Sequence, residues 1–177
     1  MASPPDAQIR PLSGKLPKAT YHWDPETDIL SASCKGAGEP ERDERGLTGT
    51  IDLEGTDGSF VVIDVADGRL RGVDIVSWPD DVRTVPSLDP PDDSKEGAVV
   101  FPSRRSQPGI AAVEVDTALT IEKNAAETVF HLRVGRSRPS RAVRVADAVL
   151  VEVDKQDRLA GIWFLDVPPF PDVEAGP

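Results

Sequence analysis

The chain carries one short sequence pattern twice, and this repetition constrains the fold more than any other feature. Residues 21–30 (YHWDPETDIL) align without a gap on residues 121–130 (IEKNAAETVF). Further on, residues 69–76 (RLRGVDIV) align on residues 158–165 (RLAGIWFL). Matches at two separate places predict two units of one architecture that pack into a single fold.

The repetition divides the chain into five regions. We expect a proline-rich N-terminal tail, residues 1–18, that is flexible or loosely docked. The two β repeats span residues 19–78 and 110–167, and a connector rich in proline and aspartate, residues 79–109, joins them. A second proline-rich tail, residues 168–177, cannot form a regular strand ladder because proline lacks a backbone N–H.

Apolar periodicity predicts β-strands in both repeats. In residues 113–122 (VEVDTALTIE) apolar residues alternate with polar ones, as in a strand with one buried face. The continuous apolar runs at residues 60–63 (FVVI) and 148–151 (AVLV) indicate strands covered on both faces. The pair Asp67-Gly68 between two apolar runs indicates a tight hairpin. No segment predicts an amphipathic helix.

These patterns predict the fold class. One pair of hairpins cannot bury its apolar face alone, whereas two pairs that face each other bury both faces. We therefore predict an all-β fold, an antiparallel sandwich or a partly closed barrel built from two similar β-hairpin-pair repeats. Residues 98–101 (AVVF) of the connector are a candidate for one additional short strand.

The repeated residues resemble a known family. Tyr-x-x-Asp-Pro-Glu-x-Asp-x-Leu begins at Tyr21, and Asp-Gly-Arg-Leu-x-Gly-Val-x-Ile begins at Asp67. Together they resemble the small bacterial family of unknown function called DUF2283. The second repeat keeps Asp-Arg-Leu-x-Gly-Ile from Asp157 and ends in Leu165-Asp166, but it lacks the Asp-Pro-Glu turn. The resemblance implies a small antiparallel β fold and no established activity.

The charge balance excludes some classes of partner. The chain has 31 acidic and 20 basic residues and a formal net charge of -11. Because phosphate contacts need clustered lysine and arginine, we predict no nucleic-acid binding and no docking on an anionic membrane surface. The same charge either simply keeps a bacterial-type cytosolic protein soluble or indicates a protein partner with a basic surface.

The sequence also bears on the cellular compartment. Cys34 is the single cysteine, so no internal disulfide can form. No apolar run is long enough for a transmembrane helix, and the first residues lack the basic and apolar regions of a signal peptide. We therefore expect a cytoplasmic protein.

Residue types that commonly serve in catalysis are scarce. The two histidines, His22 and His131, occupy positions that are not equivalent in the two repeats. Either could be a general base, because imidazole titrates near neutral pH, or both are ordinary strand residues that face solvent. Cys34 could be a nucleophile beside His22, or a simple buried thiol. The catalytic residues, if any, stay unassigned.

A metal site is not predicted either. Asp24, Glu26 and Asp28 alternate as ligands of a calcium loop do, but Ile29 and Lys35 stand where an EF-hand needs glycine and glutamate. A polar hairpin turn explains the same residues. Zinc-type cysteine and histidine spacing, a P-loop and a dinucleotide-binding glycine motif are all lacking from the sequence. We therefore predict no metal and no cofactor.

The three tryptophans are the remaining candidates for a site. Trp23, Trp78 and Trp163 lie at strand positions near the ends of the repeats. They either line a ligand pocket or pack between the two repeats. Together with His22 and His131, they form the predicted set of binding residues.

Two functions of different classes follow from these observations. The first is an acidic protein-interaction module without catalytic activity, with the charged loop at residues 39–45 as one contact surface. The alternative is a small-molecule-binding β barrel, or a cyclase-type enzyme, whose apolar cavity is lined by tryptophan. A barrel with an open apolar cavity near Trp23, Trp78 or Trp163 would favour this alternative, whereas a filled core would favour the interaction module. A third interpretation is self-association through an uncapped edge strand at residues 113–121.

Overall fold

The computed structural model describes residues 3–35, 46–92, 94–103 and 110–171. Within these ranges the chain forms strands, turns and loops, and no helix. The charged loop at residues 39–45 lies outside the described residues. The strands of the described ranges, in chain order, are β1 (Gln8–Arg10), β2 (Lys18–Trp23), β3 (Leu30–Lys35), β4 (Thr48–Glu54), β5 (Phe60–Ala66), β6 (Arg69–Ser77), β7 (Val82–Thr84), β8 (Lys95–Glu96), β9 (Ala98–Val100), β10 (Ile110–Asp116), β11 (Leu119–Lys123), β12 (Phe130–Val134), β13 (Ser140–Ala146), β14 (Val149–Asp154) and β15 (Leu159–Phe164).

The strands form two mixed sheets, one of which curls strongly into a half-barrel. The first sheet has the order β1-β9-β6-β5-β4-β10, and the β2–β3 hairpin joins it where β3 pairs with β6. The second sheet has the order β7-β11-β12-β15-β14-β13-β8. The predicted all-β sandwich or partly closed barrel is confirmed. Three parallel pairs, β4–β10, β7–β11 and β8–β13, add to the predicted antiparallel pairing.

The two repeated segments share one pairing scheme. In the first, β2 pairs with β3, β3 with β6, β6 with β5 and β5 with β4. In the second, β11, β12, β15, β14 and β13 pair in the same succession. The registers also correspond, because Ser33 faces Gly72 as Arg133 faces Gly161. Each segment thus has a fifth strand, β4 or β13, beyond the predicted pair of hairpins.

The glycine that recurs in both segments lies where two strands approach closely. A Cβ atom on Gly72 would lie 2.9 Å from the carbonyl oxygen of Ala32, and one on Gly161 would lie 2.8 Å from that of Leu132. In each segment the pairing of the adjacent strand then shifts by a β-bulge. Close backbone approach is a common reason for glycine inside a strand. The recurrence of this residue therefore has a steric cause.

The single strand predicted over residues 113–122 is two strands in the structure. β10 ends at Asp116 and β11 begins at Leu119, and the two belong to different sheets. The alternation of buried and exposed residues continues from β10 into β11, because Val115, Leu119 and Ile121 are all buried. Periodicity indicates which face of a strand is buried, but it does not indicate which strand is its neighbour. Within the described residues β10 pairs with β4 alone, while β11 lies between β7 and β12.

The N-terminal segment packs against the second repeated segment, where a loose tail was expected. β1 pairs with β9, and Ala7 is fully buried. The backbone N–H of Ala7 donates to the carbonyl oxygen of Asp157 (2.9 Å), and the N–H of Leu159 donates to that of Pro5 (2.9 Å). The connector contributes β7, β8 and β9, and β9 lies where a short strand was expected. Residues outside the two repeats therefore complete the sheets.

One hydrophobic core fills the space between the two sheets. Each strand directs alternate side chains inward, so that one face of each sheet is apolar. The largest fully buried side chains of this core are Phe101, Phe130, Phe164, Leu30, Leu53, Ile63, Ile75, Ile121, Leu132, Leu150, Leu159 and Ile162.

Candidate functional site

Two of the three predicted tryptophans meet in the structure. Trp23, the last residue of β2, stacks on Trp78, which follows β6, with ring centroids 5.8 Å apart and planes inclined by 15°. Phe130 and Phe170 approach Trp23 edge-on, with centroid distances of 6.1 and 5.3 Å. Phe130 also lies 5.7 Å from Trp78. We call these four residues the aromatic cluster.

Backbone carbonyl groups fix the two stacked indoles. The Nε1–H of Trp78 donates to the carbonyl oxygen of Asp28 (2.8 Å), and the Nε1–H of Trp23 donates to that of Pro168 (2.9 Å). Asp28 itself has a left-handed backbone with φ of 61°, a conformation that aspartate adopts more readily than most residues. The cluster therefore joins the β2–β3 turn, the end of β6 and the C-terminal residues.

An open cleft of about 350 Å³ lies against the aromatic cluster. Pockets that bind small molecules commonly measure roughly 300 to 1,000 Å³. The cleft opens to solvent at the margin of the core and is not the interior of a barrel. Its lining is mostly apolar and comprises Trp23, Asp28, Trp78, Val82, Lys123, Glu127, Phe130 and Phe170.

The charged residues of the lining are mainly acidic. The Nζ of Lys123 lies 3.1 Å from the Oε1 of Glu127, so the lysine in the lining is already paired. The side chain of Asp28 is exposed and makes no hydrogen bond or ion pair to the described residues. The cleft therefore presents aromatic faces beside a carboxylate that remains available.

The segments next to the cleft carry further ionised carboxylates. Asp24 accepts a hydrogen bond from the backbone N–H of Glu26 (2.9 Å), which lowers the pKa of the Asp24 carboxyl. Asp57 accepts hydrogen bonds from the Ser59 hydroxyl, from the backbone N–H of Asp80 (2.9 Å) and from that of Ser59 (3.0 Å). These bonds lower the pKa of Asp57 to about 2. Both groups are therefore negatively charged at neutral pH.

Trp163 and His131 form a separate cluster on the other face of the second sheet. Their rings stack with centroids 4.0 Å apart and planes inclined by 9°. His131 Nε2 hydrogen-bonds Glu152 Oε1, and the hydroxyl of Ser140 donates to Glu152 Oε2 (3.2 Å). We call His131, Glu152 and Trp163 the polar cluster. Because Phe130 and His131 are consecutive strand residues, they face the aromatic cluster and the polar cluster, respectively.

The electrostatics of Glu152 reflect its partners. Burial by itself would raise the pKa of this carboxyl, because it disfavours the charged form. The hydrogen bond and the charge of His131, with the Ser140 hydroxyl and the Arg133 guanidinium, outweigh burial and lower the pKa. Glu152 is therefore an ionised carboxylate whose two oxygen atoms are both engaged.

The first repeated segment carries ordinary polar residues at the corresponding positions. By strand register, Ser31 corresponds to His131 and Asp74 to Trp163, because Ser31 faces Asp74 as His131 faces Trp163. Asp64, which faces Gly72, likewise corresponds to Glu152. Asp64 is exposed, and the other two are partly exposed. The polar cluster is thus specific to the second segment.

The remaining predicted residues do not join either cluster. His22 is exposed on β2, and Cys34 is buried on β3. His22 faces Ser31, three register positions away from Cys34, so the structure does not support a nucleophile–base pair. Burial raises the pKa of the Cys34 thiol to about 11, which makes it a poor nucleophile.

No group of three or more histidine, cysteine, aspartate or glutamate side chains in the described ranges is arranged to hold a metal ion. None of the described segments forms a helix that is long and apolar enough to cross a membrane.

Three residues of the two clusters, Phe130, Phe170 and Glu152, were not predicted from the sequence, nor was the neighbouring Arg133. Phe130 and Arg133 lie in a segment with a strand pattern, and nothing local distinguishes them from other strand residues. Glu152 could have been singled out by comparing corresponding positions of the two segments. Where the first segment has Ser31 and Asp64, the second has His131 and Glu152.

Comparison with known proteins adds no identification: no model of a protein family matches the chain, and no curated protein matches it significantly. The resemblance to DUF2283 stays a prediction.

Proposed function

We propose that the protein is an interaction module that binds a basic segment of a partner protein at the cleft beside the aromatic cluster. The observation that carries this proposal is the open cleft of about 350 Å³, lined by the stacked Trp23–Trp78 pair and bordered by Asp28 and Glu127.

The aromatic side chains supply the apolar part of such an interaction. Trp78 is partly exposed, whereas Trp23 behind it is 7% exposed and holds it in place. A partner side chain that covers aromatic surface gains about 25 cal/mol for each Å² of apolar area removed from water. Tryptophan is also among the residues that most often dominate binding energy at protein interfaces. Because both indole N–H groups are already bonded, the rings are positioned before the partner arrives.

The charge supplies selectivity for a basic segment. The formal net charge of -11 attracts cationic partners over long range and raises their association rate at low salt. Within the cleft, a lysine or arginine side chain can place its aliphatic part on Trp78 and its charge near Asp28. Binding of this kind weakens as salt screens the exposed charges.

A peptide library tests the proposal directly. Peptides selected for binding to the protein are expected to be rich in lysine or arginine next to an apolar residue. Their affinity should fall at least tenfold in Trp78→Leu and should fall by a smaller factor in Asp28→Asn, which keeps a residue that tolerates positive φ. Trp163→Phe, remote from the cleft, is the matched control. Selected peptides whose affinity depends on neither Trp78 nor salt would refute the proposal.

A second candidate is the binding of a small organic molecule, because the cleft volume falls in the usual range for such ligands. A planar molecule can stack on Trp78. A catalytic version of this function would have to use Asp28, Lys123 or Glu127, which are the charged residues of the lining. A fluorescence screen of small aromatic and cationic compounds distinguishes the two candidates, because a compound that binds while all peptides fail supports the small-molecule function.

Self-association is a further proposal that rests on β10. This strand pairs with β4 on one side, and no other described strand pairs with its second side. An open strand edge can pair with a second copy of the chain. Light scattering coupled to size-exclusion chromatography measures the mass in solution; a monomer at all concentrations would refute this proposal.

A further inference from the structure

The second repeated segment contains a small polar cavity that the aromatic cleft does not include. It has a volume of about 90 Å³, several times the roughly 10–15 Å³ that a cavity needs to hold one water molecule. It lies beside the polar cluster and is lined by His131, Arg133, Arg136, Ser137, Arg138, Ser140, Glu152 and Ala160.

Arg138 builds the wall of this cavity. Its Nε donates to Asp154 Oδ2 (2.7 Å), and its Nη2 donates to the carbonyl oxygen of Leu159 (2.7 Å). Its Nη1 donates to the carbonyl oxygens of Val134 (2.8 Å) and Arg136 (2.7 Å). These bonds hold residues 135–139, the connection between β12 and β13, against the sheet. Four of the five N–H donors of Arg138 are therefore committed to structure.

The other donors in the lining are largely unused. The Arg136 side chain and the Ser137 hydroxyl make no hydrogen bond or ion pair to the described residues. Arg133 has a single long contact, 3.4 Å from its Nη2 to Glu122 Oε1. The cavity therefore offers two guanidinium groups and a hydroxyl that have donors to spare.

Each oxygen of the carboxylate in the lining already accepts a hydrogen bond. Glu152 is the one carboxylate among the lining residues, and its two oxygen atoms are bonded to His131 and Ser140. Glu122 and Asp154 lie outside the lining, where they face Arg133 and Arg138, respectively. The cavity thus has unused hydrogen-bond donors, and its carboxylate is already bonded. It matches a ligand that is small, anionic and rich in acceptor atoms.

We propose that this cavity is a binding site for one small tetrahedral oxyanion, such as phosphate or sulfate, held by Arg136, Arg133 and Ser137. Arginine binds such groups with two parallel hydrogen bonds, and the volume of the cavity is sufficient for one phosphate group. The phosphate is either a free ion or the end group of a larger molecule that extends through the mouth of the cavity. Arg136 lines the cavity and is exposed to solvent.

Titration with inorganic phosphate and with sulfate at constant ionic strength, followed by calorimetry, tests the site. We expect saturable binding of one ion per chain, weakened at least tenfold in Arg136→Ala and also weakened in Arg133→Ala. Arg141→Ala is the matched control, because Arg141 is exposed on the neighbouring strand β13 and does not line the cavity. A competition experiment with methyl phosphate distinguishes the two sources of phosphate. Methyl phosphate displaces inorganic phosphate if the site accepts the phosphate end group of a larger molecule, and it does not if the site accepts only the free ion.

Trp163 provides an independent readout, because its ring stacks on His131 at the cavity. Phosphate should change the tryptophan fluorescence of the native protein and leave that of Trp163→Phe unchanged. Absence of saturable binding, or an equal loss in Arg136→Ala and Arg141→Ala, would overturn the proposal. Neither result bears on the aromatic cleft, which faces the opposite side of β12.

Discussion

His131 and Glu152 hydrogen-bond to each other across an intervening strand, directly above Gly161. They lie on β12 and β14, and β15 runs between these strands. Neighbouring strands are about 4.8 Å apart, so the two side chains together bridge two such spacings. They meet because the residue beneath them has no side chain.

A methyl group at this position should disrupt the contact. In Gly161→Ala the added Cβ would lie 2.5 Å from Glu152 Oε1 and 2.8 Å from the carbonyl oxygen of Leu132. We expect a loss of about 1–3 kcal/mol in the free energy of unfolding, as is typical of overpacking. Urea denaturation measures this loss. The matched control is Gly72→Ala, whose Cβ meets the carbonyl of Ala32 but no side-chain pair. An equal loss in both variants would contradict the special role of Gly161.

The ionised Glu152 should make stability depend on pH in the acid range. The folded-state pKa of its carboxyl is lowered, so its contribution is present above the unfolded pKa of about 4.3 and is lost as pH falls through the folded value. Glu152→Gln should reduce the free energy of unfolding at pH 7 by about 1–3 kcal/mol and flatten its decline below pH ~5.

Asp64→Asn is the matched control for that comparison, because Asp64 occupies the corresponding, exposed position of the first segment. We expect its free energy of unfolding to stay within about 0.5 kcal/mol of that of the native protein. Urea unfolding at several pH values compares the three proteins. Parallel curves for the native protein and Glu152→Gln would contradict the prediction.

Asp57 should titrate near pH 2. The Ser59 hydroxyl is the main cause, followed by the backbone N–H groups of Asp80 and Ser59. The ionised carboxylate favours the folded state above the ordinary pKa of about 3.9, and this effect is lost as pH falls to about 2. NMR titration of the carboxyl carbon measures the pKa. Ser59→Ala should raise it toward the ordinary value, whereas Thr56→Ala should not; equal values in both variants would refute the assignment.

Cys34 should be unreactive in the folded protein. The residue is 3% exposed, and burial raises the pKa of its thiol to about 11. A chromogenic disulfide reagent at pH 8 should label it only as fast as the protein unfolds. Ser33→Cys combined with Cys34→Ser places a thiol on the opposite, partly exposed face of β3 and should react at once. Rapid labelling of the native protein would contradict this account.

Trp23 and Trp78 illustrate how far a candidate site could be predicted. The sequence made both candidates for a ligand pocket or for packing between the repeats, and it grouped Trp163 with them although Trp163 lies on the other face of the second sheet. The grouping rested on residue type and on position near strand ends. Neither property specifies which strands become neighbours, and that is decided when the sheets assemble.

The sequence by itself determined the all-β fold class and the recurring turn and core positions of the two segments. Turn and core residues recur at fixed spacing, and Gly72 and Gly161 mark the same close approach of strands in each. Local periodicity and turn chemistry act over a few residues, so they can be read without knowledge of the fold. The tertiary structure alone decided that Phe170 reaches Trp23 and that Glu152 reaches His131. Such contacts join residues that are distant in the chain, and they depend on strand order and sheet packing, which no local pattern encodes.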